Sequence, residues 1–146
     1  MIDLKTILLE YAATTSHKLK LLDGDKFSID FAYRMKDGST RYQLVWCWIA
    51  KGRARGKDCV YFTSRVGNFK PDLNLYLLLK EAGYGAYSTV TIVSDKDNEG
   101  NPCESVVVQA SPLLEHTTKE SLLNVLYEVG ETADILEQKY FGADKY

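Results

Sequence analysis

The chain is poor in the residues that most often carry chemistry. Its 146 residues include two histidines, three cysteines, two methionines and three prolines. Nucleophilic catalysis needs a hydroxyl or thiol with a base beside it, and both histidines, His17 and His116, fall in loops or at element ends. Cys47, Cys59 and Cys103 are odd in number and widely spaced, which argues against a disulfide framework and fits a reducing cytosol. There is no Cys-x-x-Cys, no His pair and no His-Glu-x-x-His, so no metal and no cofactor is expected. No run approaches the ~20 apolar residues of a membrane span. The opening Met1-Ile2-Asp3-Leu4-Lys5 carries an acid where a secretory signal is basic. A cytoplasmic protein without a catalytic residue is the expectation. The net charge of −2 leaves electrostatic function to local patches.

What is present is ordinary globular composition at the usual size of one domain. Leu4, Ile7, Leu8 and Tyr11 form one apolar stripe of a helix over 4–13, with Asp3 as N-cap. Residues 14–26 read equally as a loop or as a short strand ending at Asp23-Gly24. Phe27, Ile29, Phe31, Tyr33 and Met35 alternate with polar or small residues, which is the period of a half-buried strand. Asp37-Gly38 turns the chain. Leu44 to Ala50 is apolar on both faces, so it is expected at the centre of a sheet covered on both sides. A basic turn, Lys51 to Lys57, leads to a third strand near Cys59 to Val66. Pro71 suits the first turn of a helix that carries Leu75, Leu78 and Leu79 and stops at Gly83. Two strands follow, around 88–94 and 104–110, joined by the polar loop Asp95 to Pro102.

The last helix is the plainest element. Thr117 and Glu120 make a capping-box pattern. Leu122, Val125, Leu126, Val129, Ala133, Leu136 and Tyr140 then trace one face, with Glu128, Glu131, Asp134 and Gln138 elsewhere on the wheel and Gly142 at the end. The order α-β-β-β-α-β-β-α indicates an α+β fold: one domain over 1–146, with an antiparallel five-stranded sheet packed against helices.

Several near-motifs fail at a residue their chemistry requires. Asp95, Asp97, Glu99 and Gly100 imitate the start of a calcium loop, but its twelfth place is Val106 and Pro102 stands eighth. Gly83-Tyr84-Gly85 lacks the third glycine of a dinucleotide cradle. The basic turn, with Arg53, Arg55 and Lys57, is the one concentration of charge and carries the alternative reading, nucleic-acid binding. Arg55-Gly56 followed by Val60 and Phe62 imitates an RNA-recognition motif, yet Lys57 and Cys59 stand where stacking aromatics belong. Tyr33, Tyr42, Trp46, Trp48, Tyr61 and Phe62 crowd the sheet. Core packing accounts for most of them, and three short helices have difficulty covering both faces, which leaves rings for a partner.

From Leu73 onward the sequence resembles the YbjN-like proteins, whose fold is shared with class I type III secretion chaperones. The resemblance rests on Leu73-Asn74-Leu75-Tyr76-Leu77-Leu78-Leu79 before a glycine-containing turn and two strands. It continues in the closing helix, Glu120-Ser121-Leu122-Leu123 through Ala133-Asp134-Ile135-Leu136-Glu137-Gln138-Lys139-Tyr140. The N-terminal half matches in element order alone. The resemblance implies a small bacterial, cytoplasmic, non-enzymatic protein, a homodimer, that regulates or holds an extended segment of another protein; fold analogy is its whole warrant. Arg53, Arg55, Lys57, Leu75, Tyr76 and Leu79 are the expected partner-binding residues.

Overall fold

Six strands, not five, make the sheet in the computed structural model, which describes residues 1–142. Helix α1 (Leu4–Thr14) leads into β1 (Lys18–Leu22), β2 (Lys26–Arg34), β3 (Thr40–Ala54) and β4 (Lys57–Asn68). Helix α2 (Leu75–Ala82), β5 (Thr89–Lys96), β6 (Pro102–Ala110), a single 3-10 turn (Leu114–His116) and α3 (Lys119–Phe141) complete the chain. The strands run antiparallel in the order β1-β2-β3-β4-β6-β5. The added strand is β1, from the segment that reads either way in the sequence. Leu19 packs against the core and the strand pairs with β2 across its whole length, so tertiary contact decides for the strand. Gly24 and Asp25 adopt positive φ angles of 74° and 56° to make the turn between the two.

Residues opposite one another in an antiparallel ladder share a face, so the register assigns every strand residue to one side. Phe27, Ile29 and Phe31 of β2, Val45 and Cys47 of β3, Val60 and Phe62 of β4, and Val106, Val108 and Ala110 of β6 form one face. They join Leu8 of α1, Leu78 of α2 and Leu122, Val125, Leu126, Val129, Ala133 and Leu136 of α3 in one buried cluster. The predicted α3 face is the observed one. Gly130 lets this helix come close: a Cβ there would stand 3.1 Å from the Phe31 ring and 3.2 Å from the Tyr33 hydroxyl.

The other face carries Leu44, Trp46 and Trp48, none of which belongs to the helix-packed cluster. The expectation that 44–50 is covered on both sides is therefore corrected: the helices of the cluster lie on one side of the sheet. Three local boundaries also move. α2 begins at Leu75 with Asn74 as N-cap, and Pro71 lies in the turn before it. The capping box of α3 is Thr118 with Ser121, while the Thr117 hydroxyl donates back to the Leu113 carbonyl (2.6 Å). The basic turn is mostly strand: β3 runs to Ala54 and β4 starts at Lys57, with an irregular register between Ala50 and Ala54. The 95–102 segment is the tip of the β5–β6 hairpin, where the Asp97 carboxylate accepts the N–H groups of Glu99 and Asn101.

Asp134, expected on the polar side of α3, is buried. The Arg41 guanidinium of β3 explains it, lying 3.0 Å from Asp134 and 3.6 Å from the fully buried Glu137. Nearby, the Gln43 amide donates to Ser64 Oγ (2.8 Å) and to the Arg65 carbonyl (2.9 Å). Asp134 and the Gln43 amide nitrogen are tolerated there because they are hydrogen-bonded, and Glu137 because it faces the Arg41 cation.

Candidate functional site

The uncovered sheet face collects the residues that core packing does not use. Down β3 stand Tyr42, Leu44, Trp46 and Trp48, two residues apart, with Tyr61 of β4 beside Trp48 at 4.9 Å between ring centroids. Tyr42 is 48 % exposed, Trp46 and Trp48 are partly exposed, and Tyr61 is nearly closed off. Two cations cover rings here. Lys26 Nζ sits 4.8 Å from the Trp48 centroid and the Arg53 guanidinium 4.2 Å from that of Tyr61, distances at which the ring quadrupole attracts a cation. The Tyr61 hydroxyl donates to Gln109 (2.8 Å).

The register places Lys18, Lys20, Lys26 and Arg34 on this same face, with Asp30 among them opposite Lys18. At one end, Lys18, Asp30, Ala32, Arg34, Thr40 and Tyr42 line a shallow depression of about 250 Å³. Further across, Arg65 lies 3.6 Å from Asp95. A chain with net charge −2 thus presents one face with five cations against Asp30 and an Arg65–Asp95 pair.

The predicted partner-binding residues divide into two groups that the fold keeps apart. Arg53, Arg55 and Lys57 sit at the β3–β4 hairpin end, and α2 follows the opposite end of β4, so the structure does not bring them together. Arg53 lies over Tyr61, Lys57 pairs with Glu115 at 2.8 Å, and the hairpin is tied by the Gly52 N–H donating to Asp58 (3.0 Å). Arg55 stands exposed at the tip with φ of 55°. On α2, Leu78 is the one buried residue and Leu75 packs partly against the core. Tyr76, Leu77 and Leu79 are 70 %, 48 % and 46 % exposed on a helix of eight residues, with Tyr76 and Leu79 one turn apart on the same side.

A cleft of about 530 Å³ opens between α2 and α3, lined by Glu81, Tyr84, Asn124, Tyr127, Glu131 and Ile135 among others. Two of its carboxylates have structural partners. Glu128 accepts the backbone N–H groups of Ala86, Tyr87 and Ser88 at 2.8, 2.7 and 2.6 Å, clamping the α2–β5 connection to α3. Burial pushes its pKa up, and those hydrogen bonds outweigh burial and bring it below the ordinary carboxylate value. Glu81 takes the Lys139 ammonium and the Tyr140 hydroxyl.

His17 and Cys47 are both held by packing. His17 stacks with Tyr11 and tilts on Phe31, and its Nδ1 accepts the Ala32 N–H at 3.0 Å. Burial lowers its pKa, against a smaller opposing effect of Asp30. Cys47 is fully buried and burial raises its thiol well above the ordinary value, so it is a packing group. Among the described residues no cluster of three His, Cys, Asp or Glu side chains is placed to hold a metal ion, and no helix is long and apolar enough to cross a membrane. Sequence reasoning singled out Tyr42, Trp46, Trp48 and Tyr61 only as a crowd of aromatics. It missed Lys18, Lys20, Lys26 and Arg34, whose signal was their even-numbered alternation with the apolar residues of the same strands. No family model, curated protein or solved structure matches the chain.

Proposed function

We propose that the protein is a non-enzymatic protein-binding domain, chaperone-like or regulatory in the manner of the YbjN-like proteins, that works as a homodimer. The observation that carries this reading is the exposed pair Tyr76 and Leu79, one turn apart on α2, with Leu77 also exposed and Leu78 buried on the opposite side. Contiguous exposed apolar side chains are a feature of protein interfaces. A twofold contact between two such patches, or an extended segment laid along one of them, would remove them from water. The order of elements from α2 to α3 is the one the resemblance implies, and β1 adds one strand to the N-terminal half. Nucleic-acid binding through the β3–β4 hairpin is the weaker reading, because Glu115 holds Lys57 and the Tyr61 ring holds Arg53.

Sedimentation of the full chain at tens of micromolar tests the proposal. A dimer that Y76A/L79A converts to monomer, with the far-UV circular dichroism spectrum unchanged because both side chains are exposed, is the expected outcome. A strictly monomeric parent protein would sink the homodimer, and a dimer indifferent to the double variant would remove α2 as its interface.

A further inference from the structure

The uncovered sheet face lies apart from the α2 patch and does not depend on it. We propose that it is a second docking surface whose occupant is an acidic protein segment in extended conformation, carrying alternate apolar side chains. Two features of the face select that partner. The first is spacing. Tyr42, Leu44, Trp46 and Trp48 recur every second residue of one strand, a repeat of about 6.6 Å over roughly 20 Å. An extended segment repeats its side chains on one side at the same interval, so its apolar positions match this ladder step for step. A helix, rising 1.5 Å per residue, does not.

The second feature is charge. Lys18 and Arg34 flank the ladder beside Tyr42, and Lys26 and Arg53 flank it beside Trp48 and Tyr61, with Lys20 between on β1. Asp30 is the one acid in this set, and the Arg65–Asp95 pair is internally neutral. Acidic side chains before and after the apolar run would meet the cations at both ends of the track. Complementary potentials of this kind set partner choice and encounter rate.

A single-stranded nucleic acid shares the negative charge but fits the rings less well. Stacking requires bare ring faces, whereas a cation already sits over Trp48 and another over Tyr61, which is almost closed to solvent. Freeing those rings for bases would displace the charges that phosphates need.

The chain supplies its own reporter: its only two tryptophans, Trp46 and Trp48, both lie on this face. Titrating the full-length protein with a synthetic peptide of alternating leucine and serine that carries two glutamates at each end is expected to change tryptophan emission saturably. The response should weaken with added salt. K26E/R53E and, separately, Y42S should each weaken it at least tenfold with the circular dichroism spectrum unchanged, because all three side chains are exposed. Y76A/L79A should leave it unchanged. The proposal is overturned if millimolar peptide produces no change, or if the same peptide with lysines in place of its glutamates binds equally well. Tighter binding of a twenty-residue oligothymidylate would also overturn it, and would reassign the face to nucleic acid. None of these failures alters the sedimentation test of α2, so the two readings fall separately.

Discussion

Arg41 shows how one side chain joins two elements. Its guanidinium reaches from β3 to Asp134 and Glu137 on α3, with little solvent at any of the three. Burying charge is tolerated only with a partner, and removing one partner leaves the others uncompensated. Arg41→Ala is therefore expected to cost about 3–5 kcal/mol, read as a lower urea midpoint. A concerted apolar replacement of all three residues should recover most of that loss, since well-packed apolar groups replace buried ion pairs at little cost. A failure of the triple variant to recover would mean that the charges also set the register of α3 on the sheet.

His17 sets a pH dependence at the same scale. Its Nδ1 accepts the Ala32 N–H, which requires the neutral ring, and burial among Tyr11 and Phe31 lowers its pKa. A histidine with a depressed native pKa takes up its proton more readily in the unfolded chain, where its pKa is about 6.5. Its contribution is therefore fully present above about pH 6.5 and is lost as the pH falls from there towards the lowered native value. Urea midpoints measured between pH 7.5 and 5 should fall on the acid side. His17→Phe should flatten that slope; an unchanged slope would assign it to another group.

At the scale of elements, α3 is the organiser. Its stripe from Leu122 to Leu136 meets β3, β4 and β6, and its Glu128 carboxylate holds the chain entering β5. Leu126 is fully buried, so Leu126→Ala is expected to cost ~2–5 kcal/mol in denaturant unfolding. A much smaller loss would mean that the site collapses around the truncated side chain. The sheet is tied to this helix at its far end as well. At Gly67 on β4 a Cβ would overlap the Phe141 ring at the end of α3. The bulge between Arg65 and Gly67 thus lies where the last helical turn crosses the sheet.

Across the whole molecule, charge is unevenly placed. The open sheet face carries Lys18, Lys20, Lys26, Arg34 and Arg53 against Asp30, while α3 carries Glu120, Glu128, Glu131, Asp134 and Glu137 against Lys119 and Lys139. A near-neutral sum conceals this, since net charge carries no information on placement. The position of the tryptophans permits a direct check. Native emission should be readily quenched by acrylamide, and more so in K26E/R53E, which uncovers the Trp48 and Tyr61 rings; strongly protected native emission would mean that the face is covered.

The sequence by itself determined the class of fold, the faces of α1 and α3, five of the strands and the failure of each near-motif. Those features rest on local periodicity and on single indispensable residues such as Val106 at the twelfth place of the calcium-like loop. Only the tertiary structure decided the sixth strand, the burial of Asp134 and the open side of β3. A short alternating segment such as Lys18–Leu22 becomes a strand only when Leu19 finds the core and β2 offers its free edge. Asp134 is buried only because Arg41, distant in sequence, reaches it. Trp46 and Trp48 read as core because their strand is apolar on both sides, and apolarity does not count the helices available to cover it. The buried cluster draws its helices from one side of the sheet, and that distribution is a property of the whole chain that no local pattern encodes.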